Sequence, residues 1–312
     1  LNFATLPAVF RLQAMGLRMP AAEGEPARSD HGASAPETFA NAAVLAFYRD
    51  LPFNQRTGVA EHVRAVTGTD AAAAYPPLPP LLGPGTRVLD AGCGVGWLAL
   101  GIAHHHGAAV TGIDFNPMAI ERAREVARRL NLAADFRVAD LFLYEPDAPF
   151  DVAIAIGVLH HTNDCGAGLA RLARTCVRPG GHLLVGLYHS YGRRPFLDHF
   201  RALRAAGASE EEMLARYRRL HSWIGDETQL RSWFRDQVLH PHETQHTLQE
   251  MAPVLERNGM RLVSTSINRF QPFDGLDELF EQEKTFAGIA EERLKTGQYF
   301  PGFFVFLARK DG

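Results

Sequence analysis

The chain has few cysteines, almost no net charge and no long apolar run, and each shortage removes a class of function. Three cysteines among 312 residues (Cys93, Cys165, Cys176) make no metal spacing and no disulfide framework. A reducing, cytoplasmic setting is the expectation. Thirty-two basic residues against 35 acidic ones leave a formal net charge of −3, which gives no electrostatic footprint for nucleic acid. No apolar stretch approaches the roughly 20 residues that a membrane span needs. Leu1 to Leu17 is mildly apolar but carries no basic leader and no small-residue cleavage site, so no signal peptide is expected. No internal repeat is present. What the chain does have is hydrophobic content, 46% over 312 residues, enough to bury a sizeable core.

The most informative run is Val88-Leu89-Asp90-Ala91-Gly92-Cys93-Gly94-Val95-Gly96. It reads as a buried strand that ends in a glycine-rich turn and feeds the helix beginning at Trp97. Three alternating glycines let the backbone pass close to a ligand, an approach that alone would explain all three. The helix start points free N–H groups and its positive dipole end toward that ligand. The third x-x-Gly of a dinucleotide fingerprint is missing, and so is the Gly-Lys-Ser/Thr of a phosphate-binding loop. One strand–helix unit on, Ala109-Val110-Thr111-Gly112-Ile113-Asp114 reads as a second strand ending in an acid. A carboxylate there can accept both hydroxyls of a ribose. A plain helix-capping role, shared with Asn116-Pro117, is the other reading.

Further elements follow in order. Asn116 to Leu130 has Ile120, Ala123, Val126, Ala127 and Leu130 on one helical face. Phe136 to Asp140 reads as a short third strand ending in an acid. Phe150 to Ile156 reads as a central strand, apolar on both faces. It runs into Gly157-Val158-Leu159-His160-His161-Thr162, and Arg178-Pro179-Gly180-Gly181 turns into a fifth strand ending at Tyr188. Together these runs resemble the class I, Rossmann-like S-adenosylmethionine-dependent methyltransferases that act on small molecules. The resemblance covers roughly residues 85–190. Beyond it stand only a helix-Gly-strand unit, Met251 to Ser264, and a final strand near Phe303 to Ala308.

The resemblance implies a doubly wound, mostly parallel seven-stranded α/β sheet with a helical cap. It implies S-adenosylmethionine held by Asp90, Gly92, Gly94, Gly96, Asp114, Phe115, Asp140, Leu141 and Gly157. Asp140 is the expected adenine contact, although an acid after a strand also makes a good helix N-cap. Substrate-side candidates are His160, His161, Tyr188, His189 and His242. The expected partner is a small molecule, with no nucleic acid, no membrane and no metal.

The division read from the sequence is an N-terminal extension with linker and cap helices over 1–80 and a cofactor-binding core over 81–190. A helical cap insertion over 191–246 follows, then the rest of the core over 247–312, itself interrupted at 268–299. Ala21 to Glu37 has linker composition. Phe39 to Val66 reads as helical, broken at Leu51-Pro52-Phe53-Asn54, and could fold over the cofactor mouth with Phe47 and Tyr48.

The sharpest competing motif is His242-Glu243-Thr244-Gln245-His246, the H-E-x-x-H of zinc proteases when it lies on a helix. No glycine-plus-histidine extension follows and no third ligand is marked. The reading is therefore a cap helix whose histidines face the substrate or pack.

The expected chemistry is direct displacement, in which the protein mainly aligns nucleophile, methyl carbon and sulfur. A histidine would take a proton from a hydroxyl or amine acceptor. Tyr48, Tyr188 or Trp233 would face the sulfonium. Two alternatives use the same cofactor differently. One attacks its amino acid chain, for example closing an azetidine ring with release of methylthioadenosine. The other binds it without catalysis.

Overall fold

The structure is a computed structural model that describes residues 42–48, 53 and 58–312. Ala21 to Glu37, Leu1 to Leu17 and most of the Leu51–Asn54 segment lie outside the described residues. Among the described residues two helices come first, α1 (Ala42–Tyr48) and α2 (Val59–Gly68). The alternation then begins with β1 (Arg87–Ala91), α3 (Trp97–His106), β2 (Ala109–Asp114), α4 (Pro117–Leu130) and β3 (Ala134–Val138). It continues through β4 (Phe150–Ile156), α5 (Cys165–Arg171) and β5 (Val177–Tyr188). The cap supplies α6 (Ser190–Ala205), α7 (Glu210–Leu220) and α8 (Glu227–Phe234). The chain closes with α9 (Leu248–Arg257), β6 (Met260–Thr265), α10 (Leu276–Lys284), α11 (Phe286–Lys295) and β7 (Phe303–Lys310).

The seven strands form one sheet in the order β3-β2-β1-β4-β5-β7-β6. All the pairings among β1 to β5 are parallel, and β7 runs antiparallel between β5 and β6. The expected mostly parallel, doubly wound sheet is present. The strand order reverses at β1, which opens a crevice at the carboxyl ends of β1 and β4, where open α/β sheets bind ligands.

Side-chain alternation divides the core between the two sheet faces. Val88, Val152, Ile154 and Leu184 enter one cluster with α3 and α4, while Leu89, Ala153, Ala155 and Leu183 enter the other with α5 and α9. Val88 and Leu89 are both wholly buried. Burial of each such side chain contributes about 1.5–3 kcal/mol.

Local signals set the ends of the helices. Asn116 caps α4 by accepting from Met118 N–H, with Pro117 at the first helical position. Ser209 and Thr247 start α7 and α9 with complete capping boxes to Glu212 and Glu250. The third strand stops at Val138, two residues short of Asp140. Among the described residues, no helix is long and apolar enough to cross a membrane.

The His242 to His246 segment is not helical. It is an extended strap with a single parallel bridge between His246 and His189. The strap is paired by its backbone: Thr244 N–H donates to the His160 carbonyl (2.8 Å), His246 N–H to that of Tyr188 (2.9 Å) and Ser190 N–H to that of His246 (2.9 Å). Those tertiary bonds hold the segment extended, so the two imidazoles of the motif never share a helical face.

Candidate active site

A cavity of about 250 Å³ lies over the carboxyl ends of β1, β2, β4 and β5, roofed by α1 and by the end of α8. One end is built from the glycine-rich turn. Gly92 and Cys93 N–H both donate to the Ile113 carbonyl (2.7 and 2.9 Å), which ties the turn to β2. Asp114 closes the arrangement: Oδ2 accepts from Gly94 N–H at 2.9 Å and Oδ1 from Asn116 N–H at 2.8 Å. A carboxylate has about four lone-pair directions, so two of them are left for a ligand. Asp114 thus faces the cavity and also holds the start of the turn before α4, while the cap of that helix is the Asn116 side chain.

The three glycines differ in what requires them. Gly92, Gly94 and Gly96 all have positive φ (74°, 52° and 82°). A Cβ on Gly92 would meet the Val158 side chain at 2.5 Å, and one on Gly96 would meet Ala123 at 3.0 Å. Only Gly94 faces open space. Close ligand approach therefore does not explain all three, as the sequence reading had it. Packing explains Gly92 and Gly96, and the ligand argument belongs to Gly94.

Burial pushes the Asp114 carboxyl up to about 6 despite its two backbone donors. It pushes Asp90, beside buried Tyr75, up to about 7, with the Asp114 charge adding to the effect. Asp140 lines the same end and accepts from Phe142 N–H at 2.8 Å, a local turn. Phe115, Leu141 and Gly157 border the cavity.

The other end is a buried polar network. His160 Nδ1 accepts from Tyr188 N–H at 3.2 Å, and burial first, with the neighbouring charges of His161 and Arg193, pulls its pKa well down. His161 Nδ1–H donates to the His242 carbonyl at 3.0 Å, which leaves Nε2 as the lone-pair nitrogen, 3.7 Å from Asp236 Oδ1. Burial lowers the His161 pKa to about 4. Asp236 accepts from both the Tyr48 and Tyr188 hydroxyls. Burial raises its pKa, against the pull of His240 and Tyr48.

Behind this layer sits fully buried Arg193, clamped by Glu243 through two bonds (3.0 and 2.8 Å) and donating to the Gln237 carbonyl (2.6 Å). Its guanidinium lies 4.0 Å from the Tyr188 ring centre and 4.6 Å from that of Phe196. Glu243 is mostly shielded from solvent, yet the charge of Arg193 holds its carboxyl below the usual range.

The candidates named from sequence separate accordingly. His160, His161 and Tyr188 come together on the cavity. His189 does not: it is wholly buried on the far side of the strap, where Nε2 meets Glu283 at 3.0 Å and Nδ1 accepts from Gly192 N–H. His242 also lies off the cavity lining, its Nε2 on the Thr162 carbonyl at 2.8 Å, and it reaches the site only through its own carbonyl. Glu243 is spent on Arg193. Among the described residues no group of histidines, cysteines and acids is placed to hold a metal.

Asp236 and Gln237 went unremarked in the sequence. They follow Trp233-Phe234, where an acid–amide pair amid apolar residues was the one available sign. Helix α1 is tied across both ends. Asn116 Nδ2 donates to the Tyr48 carbonyl at 2.8 Å, Arg235 donates to that of Phe47 at 3.0 Å, and the Tyr48 hydroxyl donates to Asp236.

Residues 88–181 match a protein family described as "Methyltransferase domain". A ubiquinone biosynthesis O-methyltransferase of Methylocella silvestris is 44% identical over 98 residues, 31% of this chain and 38% of that protein. An uncharacterized protein of a Synechococcus species is 29% identical over 222 residues, 64% of this chain and 52% of its own length. The chain thus spans between a third and about half of the length of these relatives. Among solved structures, PKMT2 from Rickettsia typhi in complex with AdoHcy superposes with a TM-score of 0.52 at 15% identity, over 72% of this chain and 48% of that one. That likeness concerns the fold.

Proposed function

We propose that the whole chain, whose residues 88–181 match a methyltransferase domain and whose sheet has the doubly wound, Rossmann-like order, transfers the methyl group of S-adenosylmethionine to a small molecule held in the cavity. The observation that carries this reading is the Asp114 carboxylate, fixed by Gly94 and Asn116 N–H at the strand-order reversal with acceptor capacity left over. The residues present fit the cofactor. Gly94 leaves open space where a side chain would block approach, and Asp90 and Asp114 offer negative charge to a cationic ligand. Asp114 would take the ribose hydroxyls and Asp140 with Leu141 and Phe142 the adenine. When bound, the sulfonium supplies an electrophilic methyl carbon.

The chain's own part is alignment, exclusion of water and removal of a proton. α1, Trp233 and Phe303 wall the cavity. His161 Nε2 is the base: its tautomer is set by the His242 carbonyl, and Asp236 lies where it would stabilise the imidazolium. The relatives of the domain that are named as methyltransferases agree with a small-molecule acceptor.

The test is calorimetry with S-adenosylhomocysteine, then incubation with S-adenosylmethionine alone under mass spectrometry. Binding with an intact cofactor is expected. Accumulating methylthioadenosine would mean that the carbon chain is attacked and would overturn methyl transfer. Absence of binding would overturn the cofactor assignment.

A further inference from the structure

We infer that the acceptor is a cation, a protonated amine carried on an apolar or aromatic body and held at Asp236. This rests on the methyl-transfer reading and narrows it to a substrate class. Among the described residues lining the cavity, the charged side chains are all carboxylates (Asp90, Asp114, Asp140, Asp236), and no lysine or arginine is among them. The first three belong to the cofactor end. Asp236 stands apart, at the other end, on the cap.

Asp236 is 6% exposed, and the described lysines and arginines form no ion pair with it. Buried Arg193 is paired with Glu243, and its charge reaches Asp236 without forming an ion pair with it. A buried carboxylate that accepts from two tyrosine hydroxyls, with the His161 imidazole 3.7 Å away and the Arg193 charge beyond ion-pair distance, still has electrostatic demand to meet, since burial raises its pKa despite them. An arriving ammonium meets it. A neutral acceptor would leave that demand in place, and an anionic one would add repulsion.

The walls agree with a cation. Tyr48 and Tyr188 flank Asp236, and Trp233, stacked on Phe53 at 5.5 Å between ring centres, stands beside them. Aromatic faces attract an ammonium and supply apolar surface for the rest of the molecule. Among the described residues the walls hold no arginine or lysine, the usual partners of a carboxylate or phosphate.

The step balances with groups already in place. The ammonium gives one proton to His161 Nε2, and the freed nitrogen lone pair forms the new N–C bond. The C–S bond breaks with its electron pair returning to sulfur, so the products are the methylated amine and S-adenosylhomocysteine. Asp236 faces first the ammonium and then the imidazolium, and either cation favours its ionised form against the burial that raises its pKa.

Three probes of one shape test this: 2-phenylethylamine, 2-phenylethanol and 3-phenylpropionate, titrated by calorimetry into protein saturated with S-adenosylhomocysteine. The amine is expected to bind about tenfold or more tighter than the alcohol, the acid weakest, as a charge-assisted hydrogen bond predicts. Asp236→Asn should erase the difference between amine and alcohol while keeping S-adenosylhomocysteine affinity, which also reports an intact fold. Equal or tighter binding of the alcohol or the acid would overturn the inference. So would failure of the amine to bind, or a preference that survives Asp236→Asn. The ranking in the unaltered protein decides even where the variant does not fold. Failure to bind S-adenosylhomocysteine at all is a separate outcome, and it removes the cofactor reading on which the inference stands.

Discussion

Asp114 accepts the backbone N–H of Gly94 at 2.9 Å, so the end of the second strand and the middle of the glycine-rich turn are locked together across 20 residues of sequence. The bond sets the turn's path and aims the carboxylate at the cavity in one contact. It also makes the cavity-lining acid and the turn a single unit, which can be broken from either side.

Asp114→Ala should weaken S-adenosylhomocysteine binding by roughly 1.5–3 kcal/mol, about 10- to 150-fold, because charge-assisted bonds to the ligand and to Gly94 are lost together. Calorimetry reads this directly. An unchanged affinity would remove Asp114 from the ribose.

Cofactor affinity should depend on pH with a definite sign. Burial holds Asp114 at about 6 and Asp90 at about 7 in the free protein. Their ionised forms are the ones that accept hydrogen bonds and attract a cation. Affinity should therefore rise with pH through that window and level off above it, with proton release on binding near neutrality. Titrations in buffers of different ionisation enthalpy check this, and proton uptake would contradict it.

The glycines should separate in stability and binding. Gly92→Ala places a Cβ 2.5 Å from Val158 at positive φ, so loss of fold stability is expected. Gly94→Ala meets open space and carries chiefly the backbone penalty of about 1–2 kcal/mol, with a larger loss of cofactor affinity. Urea denaturation beside calorimetry distinguishes them, and identical profiles for the two variants would contradict the split.

Arg193→Met should destabilise by about 3–5 kcal/mol, since it strands Glu243 in the interior. Arg193→Met with Glu243→Leu should recover much of that loss. Urea midpoints of the two variants provide the comparison; a double variant no better than the single one would argue against the pair.

Buried histidines should make the protein acid-sensitive. His161 is lowered to about 4, His221 and His240 to about 3, all mainly by burial. The unfolded chain, with ordinary values near 6.5, binds more protons below that pH than the native state does. Their contribution is complete above about 6.5 and is lost on acidification, by at most about 2 kcal/mol per histidine at pH 5. Asp90 and Asp114 oppose this in the free protein, since their raised values favour the native state at low pH. Denaturation with saturating S-adenosylhomocysteine isolates the histidines, and flat stability between pH 7 and pH 5 would contradict their burial as neutral rings.

The sequence by itself determined the α/β alternation, the glycine turn and the acids that close β2 and follow β3. Each is a local pattern: apolar periodicity, positive-φ glycines, a cap residue at a fixed offset. Tertiary structure alone decided the acceptor end. His160 and His161 are adjacent in sequence, yet one ring accepts from Tyr188 N–H and the other donates to the His242 carbonyl, and those partners come from β5 and from the strap. His242-Glu243-Thr244-Gln245-His246 has a helix-compatible spacing, but backbone bonds to β5 and to the turn after β4 outweigh local preference and hold it extended. Asp236 reaches the cavity wall in a network that α1 and β5 complete, bringing two tyrosine hydroxyls to it from 188 and 48 residues away. Long-range pairing of buried polar groups leaves no period in the sequence, because the partners are chosen by what would otherwise go unsatisfied in the folded interior.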